Sequence, residues 1–360
     1  MHLRKDLPIL IVGAGPTGLT AALELARRGV EVRIVEKRTE PSSLSRAVGL
    51  MPGSMEIFQA CGAEQKIRSE ALEIEALDIW HRDRKVTTIN MDGHEDPAVR
   101  LLCLPQDRTE LHLAEALQTH GITVEYGEVF ESLKQDSEKV SATVSGESRL
   151  YAGVLGCDGA KSMVREEIGL VAEGYDLEED WSIADLEIPA WTDRRFRVSV
   201  MDKGELCIIV PMADGRYRLV TTEPDSLEAN PIPIPEYRVR RAGSFRISVR
   251  QVPEYNVGRV WLAGDAAHTH SPVGGRGMNL GIADASEWAR RYSEGTLEGY
   301  SAARHTIGAE TIEFTETARK MLQEGPELKR DLLLFGVRGL GLMKFVHPRI
   351  VQQMVMGELI

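Results

Sequence analysis

Apolar positions along this chain fall into a few periods, and each period names an element. Leu7 to Val12 is almost continuously apolar, the pattern of a strand buried on both faces. Leu19 to Arg28 reads as a helix, and Val30 to Glu36 predicts a second strand ending in an acid. Gly53 to Cys61 shows helical spacing at Met55, Ile57, Phe58 and Cys61, and Gly62 stops it. Ala76–Trp80 and Val86–Met91 predict a hairpin or edge strands, and Leu101–Leu104 is a short apolar run. Asp107 or Thr109 can cap a helix running to His120, with Gly121 just past its end. Ile122–Tyr126, Val129–Lys134 and Val140–Val144 predict three strands, the last two a solvent-facing hairpin. Leu150 to Gly159 reads as one buried strand broken at a glycine, followed by a short helix from Ser162 to Ile168.

From Trp181 to Val249 the period shortens to two. Ser182–Ile188, Phe196–Met201, Leu206–Pro211, Tyr217–Thr221 and Phe245–Val249 are strand candidates, with Asp214-Gly215 as a hairpin signal. Four prolines make Pro224–Pro235 a loop. Val260–Ala263 is again a buried strand, Met278–Arg291 is helical, and the tail from Ser301 is helical. The predicted fold class is α/β. A discontinuous Rossmann-like dinucleotide-binding domain comprises residues 1–75, 101–172 and 255–300; a β-rich substrate domain takes 76–100 and 173–254; and 301–360 form a C-terminal helical segment. Within that segment Leu332–Phe345 is apolar but interrupted by Arg338 and Lys344, which reads as a packed helix, with membrane-surface contact as the alternative.

A length of 360 residues suits two joined domains, and 42% hydrophobic with 27% charged residues is ordinary for a globular protein. The net charge of −12 argues against nucleic acid. Cys61, Cys103, Cys157 and Cys207 are far apart and match neither a disulfide framework nor zinc spacing, so no metal is expected and a reducing cytoplasm fits. The polar start Met1–Lys5 predicts no signal peptide, and no run of apolar residues is long enough to span a membrane. A monomer or homodimer is the expected state.

The first chemistry lies between the first two strands. Gly13-Ala14-Gly15-Pro16-Thr17-Gly18 is a G-x-G-x-x-G run between strand and helix, and Glu36 closes the second strand. The glycines permit a tight turn, close approach to a pyrophosphate and close helix packing. The helix N-terminus then supplies free N–H groups and a positive dipole end. Glu36 is placed for an adenosine ribose hydroxyl, and Lys37 beside it joins the cofactor-binding candidates.

Two further elements follow in order, Cys157-Asp158-Gly159 and Gly264-Asp265-Ala266-Ala267-His268. With the first motif, and most specifically through Gly264 to Ala285, this order resembles the single-component FAD-dependent aromatic hydroxylases, the family of p-hydroxybenzoate hydroxylase and phenol hydroxylase. The resemblance covers roughly residues 5 to 300. It implies that Asp265, next to Gly264, contacts the ribitol chain of FAD. It implies that Pro272, Gly274 and Gly275 border the oxygen-reacting side of the flavin. Gly277, Met278 and Asn279 are candidates to offer N–H groups to negative charge on reduced flavin. Arg46 resembles the arginine that reaches the FAD phosphates and the nicotinamide cofactor. Gln106, in a Q-x-x-x-E segment with Glu110, resembles a residue touching the ribityl or pyrophosphate part, with Arg108 competing for the role. Val129 is a candidate for backbone contact with adenine, or equally a core residue. Asp158-Gly159 resembles the element serving both FAD and NAD(P)H. Relatives often carry Gln where this chain has Arg276. His268 and His270 follow a strand end and carry no metal pattern.

The resemblance implies an NAD(P)H-using, O₂-using monooxygenase that hydroxylates an aromatic or polyketide-like small molecule through a flavin C4a-hydroperoxide. The strands Phe196–Met201 and Leu206–Met212 are expected to wall the pocket, and no side chain is singled out as a substrate base. The rivals are a flavin oxidase or reductase, a halogenase (the chain has no W-x-W-x-I-P element), and a non-catalytic FAD-binding protein.

Overall fold

The computed structural model describes residues 4 to 323, apart from 5, 44 and 92–99. Residues 324–360, including the apolar stretch at Leu332–Phe345, lie outside the described part.

Six strands make the central sheet, in the order Asn256–Val257, Val260–Leu262, Gly153–Gly156, Ile9–Val12, Val32–Glu36, Glu125–Tyr126. All neighbours are parallel except the antiparallel Asn256–Val257 edge. Ile9–Val12 lies at its centre, Ile9 level with Gly153 on one side and Val32 on the other, and all four of its residues are buried. Helices cover the faces: α1 (Pro16–Ala26), α2 (Pro52–Ala60), α3 (Glu64–Glu70), α4 (Gln106–Gln118), α5 (Met163–Glu167), α6 (Gly277–Glu294) and α7 (Tyr300–Gln323). α1 packs against α6 and α4, and the indole of Trp288 on α6 meets that of Trp261 edge-on at 5.6 Å. The largest hydrophobic cluster runs through this half.

Seven strands form the second large sheet, in the order Arg238–Phe245, Trp181–Glu187, Arg216–Thr221, Leu206–Ala213, Arg195–Val200, Ala76–His81, Arg84–Asn90. Residues 76–90 thus share one sheet with 181–245. The pairs are antiparallel except Arg195–Val200 with Ala76–His81. Alternation gives two faces. The back face carries Ala184, Leu186, Cys207, Ile209 and Leu219, packed under the proline-rich loop through Ile232 and Ile234.

The structure corrects several expectations. Leu150–Gly159 is not one strand. Glu147–Tyr151 pairs antiparallel with Val140–Val144, and the chain then enters the central sheet as Gly153–Gly156. The solvent-facing hairpin is therefore a three-stranded sheet. Phe245–Val249 is the end of one strand, Arg238–Phe245, and the start of another, Ser248–Gln251. The first is an edge strand exposed along its whole length, so it has no apolar face to read. α3 has no counterpart among the expected elements, because only Ile67 of its seven residues is buried. Neither Asp107 nor Thr109 caps α4: Pro105 holds the cap position and Thr109 Oγ1 donates back to Pro105 O. Among the described residues no helix is long and apolar enough to cross a membrane.

Candidate active site

Four neighbouring strands of the central sheet deliver the sequence candidates to one edge. Gly13 follows Ile9–Val12, Glu36 ends its neighbour, Cys157-Asp158-Gly159 follows Gly153–Gly156, and Gly264-Asp265 follows Val260–Leu262. This is the carboxyl edge where parallel sheets bind ligands.

Close packing decides the glycines of the first motif. Gly13 has φ +102°, and a Cβ there would lie 2.5 Å from Cys157 O; a Cβ on Gly18 would lie 1.9 Å from Gly13 O. Gly15 differs, because a Cβ there meets nothing within 4 Å. It caps α1 without a side-chain bond, Pro16 occupies the first helical turn, and Leu19 N–H is the donor that returns to Gly15 O. The N–H groups of Thr17 and Gly18 precede the helical ladder and have no carbonyl a turn behind them. Thr17 also packs inward: its Oγ1 would be 2.6 Å from a Cβ on Gly264 and 2.4 Å from one on Gly281. α1 and α6 therefore meet the third motif at one point.

Glu36 Oε2 accepts from Ala14 N–H at 2.8 Å, and Oε1 accepts from Arg38 N–H at 3.0 Å. Burial raises its carboxyl, but bonds from Arg38 and Ala14 outweigh that and hold it below the ordinary range. Lys37 is exposed. Arg38 instead turns in, reaching Glu110 at 3.3 Å and Ala14 O at 3.4 Å. Gln106 is bonded at both ends of its amide, to Glu110 Oε1 at 2.8 Å and from Ala47 N–H at 3.2 Å. Burial raises Glu110. Arg108 turns away to Glu70. Val129 is exposed, its N–H donating to Ser145 Oγ at 3.0 Å and its C=O accepting from Ser145 N–H at 2.8 Å. Ser162 caps α5 by accepting from Arg165 N–H, and Asp158 supports it by accepting from Ser162 Oγ and Val164 N–H, while Gly159 turns the chain at φ +85°.

Asp265 is exposed to solvent, with protein packed around its carboxyl. That crowding raises its carboxyl, and the nearby charges of His268 and Arg46 pull it back down. The turn carrying it is fixed from below. Asp284 of α6, fully buried, accepts from Gly264 N–H at 3.0 Å, His268 Nε2–H at 2.6 Å and Arg304 Nε–H at 2.6 Å. Arg304 comes from α7, and Arg165 of α5 donates to Ala266 O at 3.0 Å and Ala160 O at 2.8 Å. Burial raises Asp284, but Arg304 and His268 outweigh it and keep the carboxylate ionised.

The glycine loop lies beside this turn. Pro272, Gly274 and Gly275 are exposed, and Gly275 N–H donates to Pro272 O at 3.0 Å. Gly277, Met278 and Asn279 open α6, so their N–H groups precede its ladder. The Asn279 side chain is fully committed. It donates to Gly49 O and Gly275 O and accepts from Met51 N–H and Ser54 Oγ, leaving only its backbone for a ligand. The buried Arg276 guanidinium stacks on Phe314 of α7 at 4.3 Å. His270 bonds Ser271 O through Nδ1, and burial pushes it down to about 4.

A charged hydrogen bond joins the second sheet to this site. Arg218 is held by Asp185 at 2.7 and 2.9 Å and donates to Arg46 O at 2.8 Å. The Arg46 side chain stays exposed above. Sequence reading missed Arg38, Arg165, Asp185, Arg218, Asp284 and Arg304, since none lies in a motif with a spacing of its own; only the Gly264–Ala285 stretch contained one of them, Asp284.

These residues suit an anionic dinucleotide. Gly15 faces open space, two helices direct N–H groups to the same edge, and acids stand ready for hydroxyls. Known proteins point the same way. A model of the family described as "FAD binding domain" matches residues 6–231 and 223–315. A rifampicin monooxygenase of Streptomyces venezuelae is 29% identical over 90% of this chain and 74% of its own length. A 6-methylpretetramide 4-monooxygenase of Streptomyces rimosus is 30% identical over 87% of this chain, which spans 62% of that relative. The crystal structure of p-nitrophenol 4-monooxygenase PnpA from Pseudomonas putida DLL-E4 shares the fold with a TM-score of 0.86 at 24% identity, covering 96% of this chain and 97% of that one. The chain belongs to the FAD binding domain family, and within it to the flavoprotein monooxygenases that its sequence resembles.

Proposed function

We propose that the chain is an NAD(P)H-dependent flavin hydroxylase acting on an aromatic or polyketide-like small molecule. One observation carries the reading: three Gly/Asp elements and Glu36 end four neighbouring strands, and Arg218 joins that edge to the second sheet. Gly13, Gly15, Thr17 and Gly18, with Pro16 starting the helix, would hold the FAD diphosphate, Glu36 the ribose and Asp265 the ribitol. FAD, once bound, supplies hydride acceptance and oxygen activation.

The chain's own residues do the rest. Asp284, Arg304 and Arg165 hold the Gly264–Ala266 turn, so that Asp265 meets its hydroxyls without rearranging. The N–H groups of Gly277, Met278 and Asn279, at the positive end of α6, favour negative charge beside them. Arg46 is an exposed cation over the cleft, suited to an anionic reductant that arrives and leaves. Gln106 and Arg38 act by holding Ala47 and Glu36 in place. Asp158 shapes the Gly159 turn by bonding Ser162 and Val164 at the start of α5. Pro272, Gly274 and Gly275 are exposed, and the two glycines would leave the oxygen-reacting side free of side-chain bulk.

The test is stopped-flow reduction of the purified FAD-loaded protein by NADPH and by NADH across a panel of phenols and polycyclic aromatics. Oxygen consumed, peroxide released and hydroxylated product are measured together. The expected result is reduction accelerated by one ligand, with product matching NAD(P)H consumed. Peroxide alone, with every ligand that speeds reduction, replaces the hydroxylase reading with an oxidase.

A further inference from the structure

The front face of the seven-stranded sheet is closed at both ends and open in the middle. At one end Trp181, Val200 and Leu206 pack with Val273 of the glycine loop and Ile312 of α7. At the other, Phe196, Val210 and Met212 pack with Val48, just beyond Arg46, and with Leu72 and Cys103. Both ends are thus pinned to the elements that build the cofactor cleft. Arg218 points from this same face to Arg46 O.

Between the pinned ends one row of residues crosses the sheet. Registers place Ile79 level with Val198, Val198 opposite Ile208, Ile208 opposite Val220, and Val220 opposite Ile183. Residues directly paired across strands share a face. All five are apolar and only half-buried. Among the described residues, Ile79, Val198, Ile208 and Ile183 belong to none of the hydrophobic clusters. Leaving four branched aliphatic side chains half-wet on an inward face forfeits their burial unless something covers them. The row spans five strands, or about 19 Å at ~4.8 Å per strand. It carries no acid, base or hydrogen-bonding side chain.

We infer that Ile79, Val198, Ile208 and Ile183 are the specificity-determining wall of the substrate pocket, and that they select a flat, apolar-faced molecule of several fused rings over a single phenol ring. The inference rests on the hydroxylase reading only for the word substrate; the wall is tested by binding. The row is wide where one ring is narrow, and its uniform apolarity rewards contact area rather than a placed polar group. A ring system lying along it covers several side chains at once, whereas a lone ring covers one or two.

The experiment is equilibrium dialysis of the oxidised, FAD-loaded protein, without NAD(P)H, against alizarin as a three-ring probe and against phenol. Alizarin is expected to bind at least about tenfold tighter, because more apolar area leaves water. Ile208→Asp and Val198→Asp are each expected to weaken alizarin by about tenfold, since a carboxylate must lose water beneath the rings. FAD content and melting temperature should stay at wild-type values. Ile208→Trp, which keeps the wall apolar but fills it, should exclude alizarin and spare phenol, so the idea remains testable if an aspartate variant unfolds. Equal affinity for the two probes, or wild-type alizarin binding in both Ile208 variants, overturns the wall. If alizarin binds as expected but no ligand is hydroxylated in the turnover assay, the wall stands and the hydroxylase reading falls. If phenols are hydroxylated with no preference for alizarin, the wall falls and the hydroxylase reading stands.

Discussion

In the central sheet Ile9–Val12 is buried at every position, whereas in the second sheet Leu206–Ala213 alternates, with Cys207 and Ile209 buried and Ile208 and Val210 half-exposed. The parallel half has no spare face. Its chemistry sits where strands end, in backbone turns that only certain residues can make, and its tolerances are fractions of an ångström. The antiparallel half has a face to give away. In the wall proposed above, its chemistry is spread over ordinary aliphatic side chains, whose exchange is expected to alter what binds without altering what folds. On that proposal one region fixes the reaction and the other selects the reactant.

The comparison breaks first at Gly18. A Cβ 1.9 Å from Gly13 O cannot be accommodated without separating α1 from the sheet. Gly18→Val is expected to lose more than about 4 kcal/mol, seen as a collapse of the melting temperature even without FAD. A stable apoprotein would show that the parallel half yields after all. Next comes Asp284→Ala, which removes the buried carboxylate that Arg304 Nε–H and Gly264 N–H both bond. The expected cost in urea unfolding is about 3–5 kcal/mol. Its pH signature is specific. Because the folded carboxyl is held low, its contribution is present above the ordinary carboxylate range and lost as pH falls through the depressed value. The variant should show a flatter stability curve in that acid window.

Gly15→Val sharpens the contrast, since its Cβ meets only open space. The apoprotein should melt as wild type, while FAD affinity measured by titration falls at least about tenfold, ~1.4 kcal/mol or more. Equal FAD affinity would move the diphosphate elsewhere. The smallest effect is expected at the junction of the two halves. Arg218→Lys keeps the charge and gives up the two-point grip on Asp185. Reduction by NAD(P)H should slow by about tenfold, the scale of one charged hydrogen bond, with dithionite reduction nearly unchanged. Equal slowing by both reductants would mean a general distortion.

Sequence patterns were most informative where the parallel half imposes its constraints. Continuous apolar runs at Leu7–Val12 and Val260–Ala263 and glycines at fixed spacing have few alternative explanations, so the strands and the turns at their ends could be read directly. The reading failed where the physics is non-local. Asp284, His268 and Arg304 form one unit only after α6 and α7 pack, and no spacing announces a charge that will be buried. Arg218 looks like any strand arginine until its partners Asp185 and Arg46 come from elsewhere in the chain. The edge strand Arg238–Phe245 and the helix Glu64–Glu70 lack an apolar face, so periodicity had nothing to detect. The bonds that Gln106 makes to Ala47, and Val129 to Ser145, likewise join segments apart in the chain, so resemblance could name these residues but not their partners.

The order of strands in the central sheet also has a consequence for how the chain is made. Ile9–Val12 leaves the ribosome well before its neighbour Gly153–Gly156, which arrives some 140 residues later, and Val260–Leu262 follows another hundred on. Until then the nascent chain holds an all-apolar strand with one side open, the kind of edge that recruits unwanted pairing. Long-range parallel pairing is slow to close, and the cofactor-binding edge is complete only after the whole second sheet has been synthesised. Production of this protein should therefore be limited by chaperone supply and translation speed before it is limited by the stability of the finished molecule.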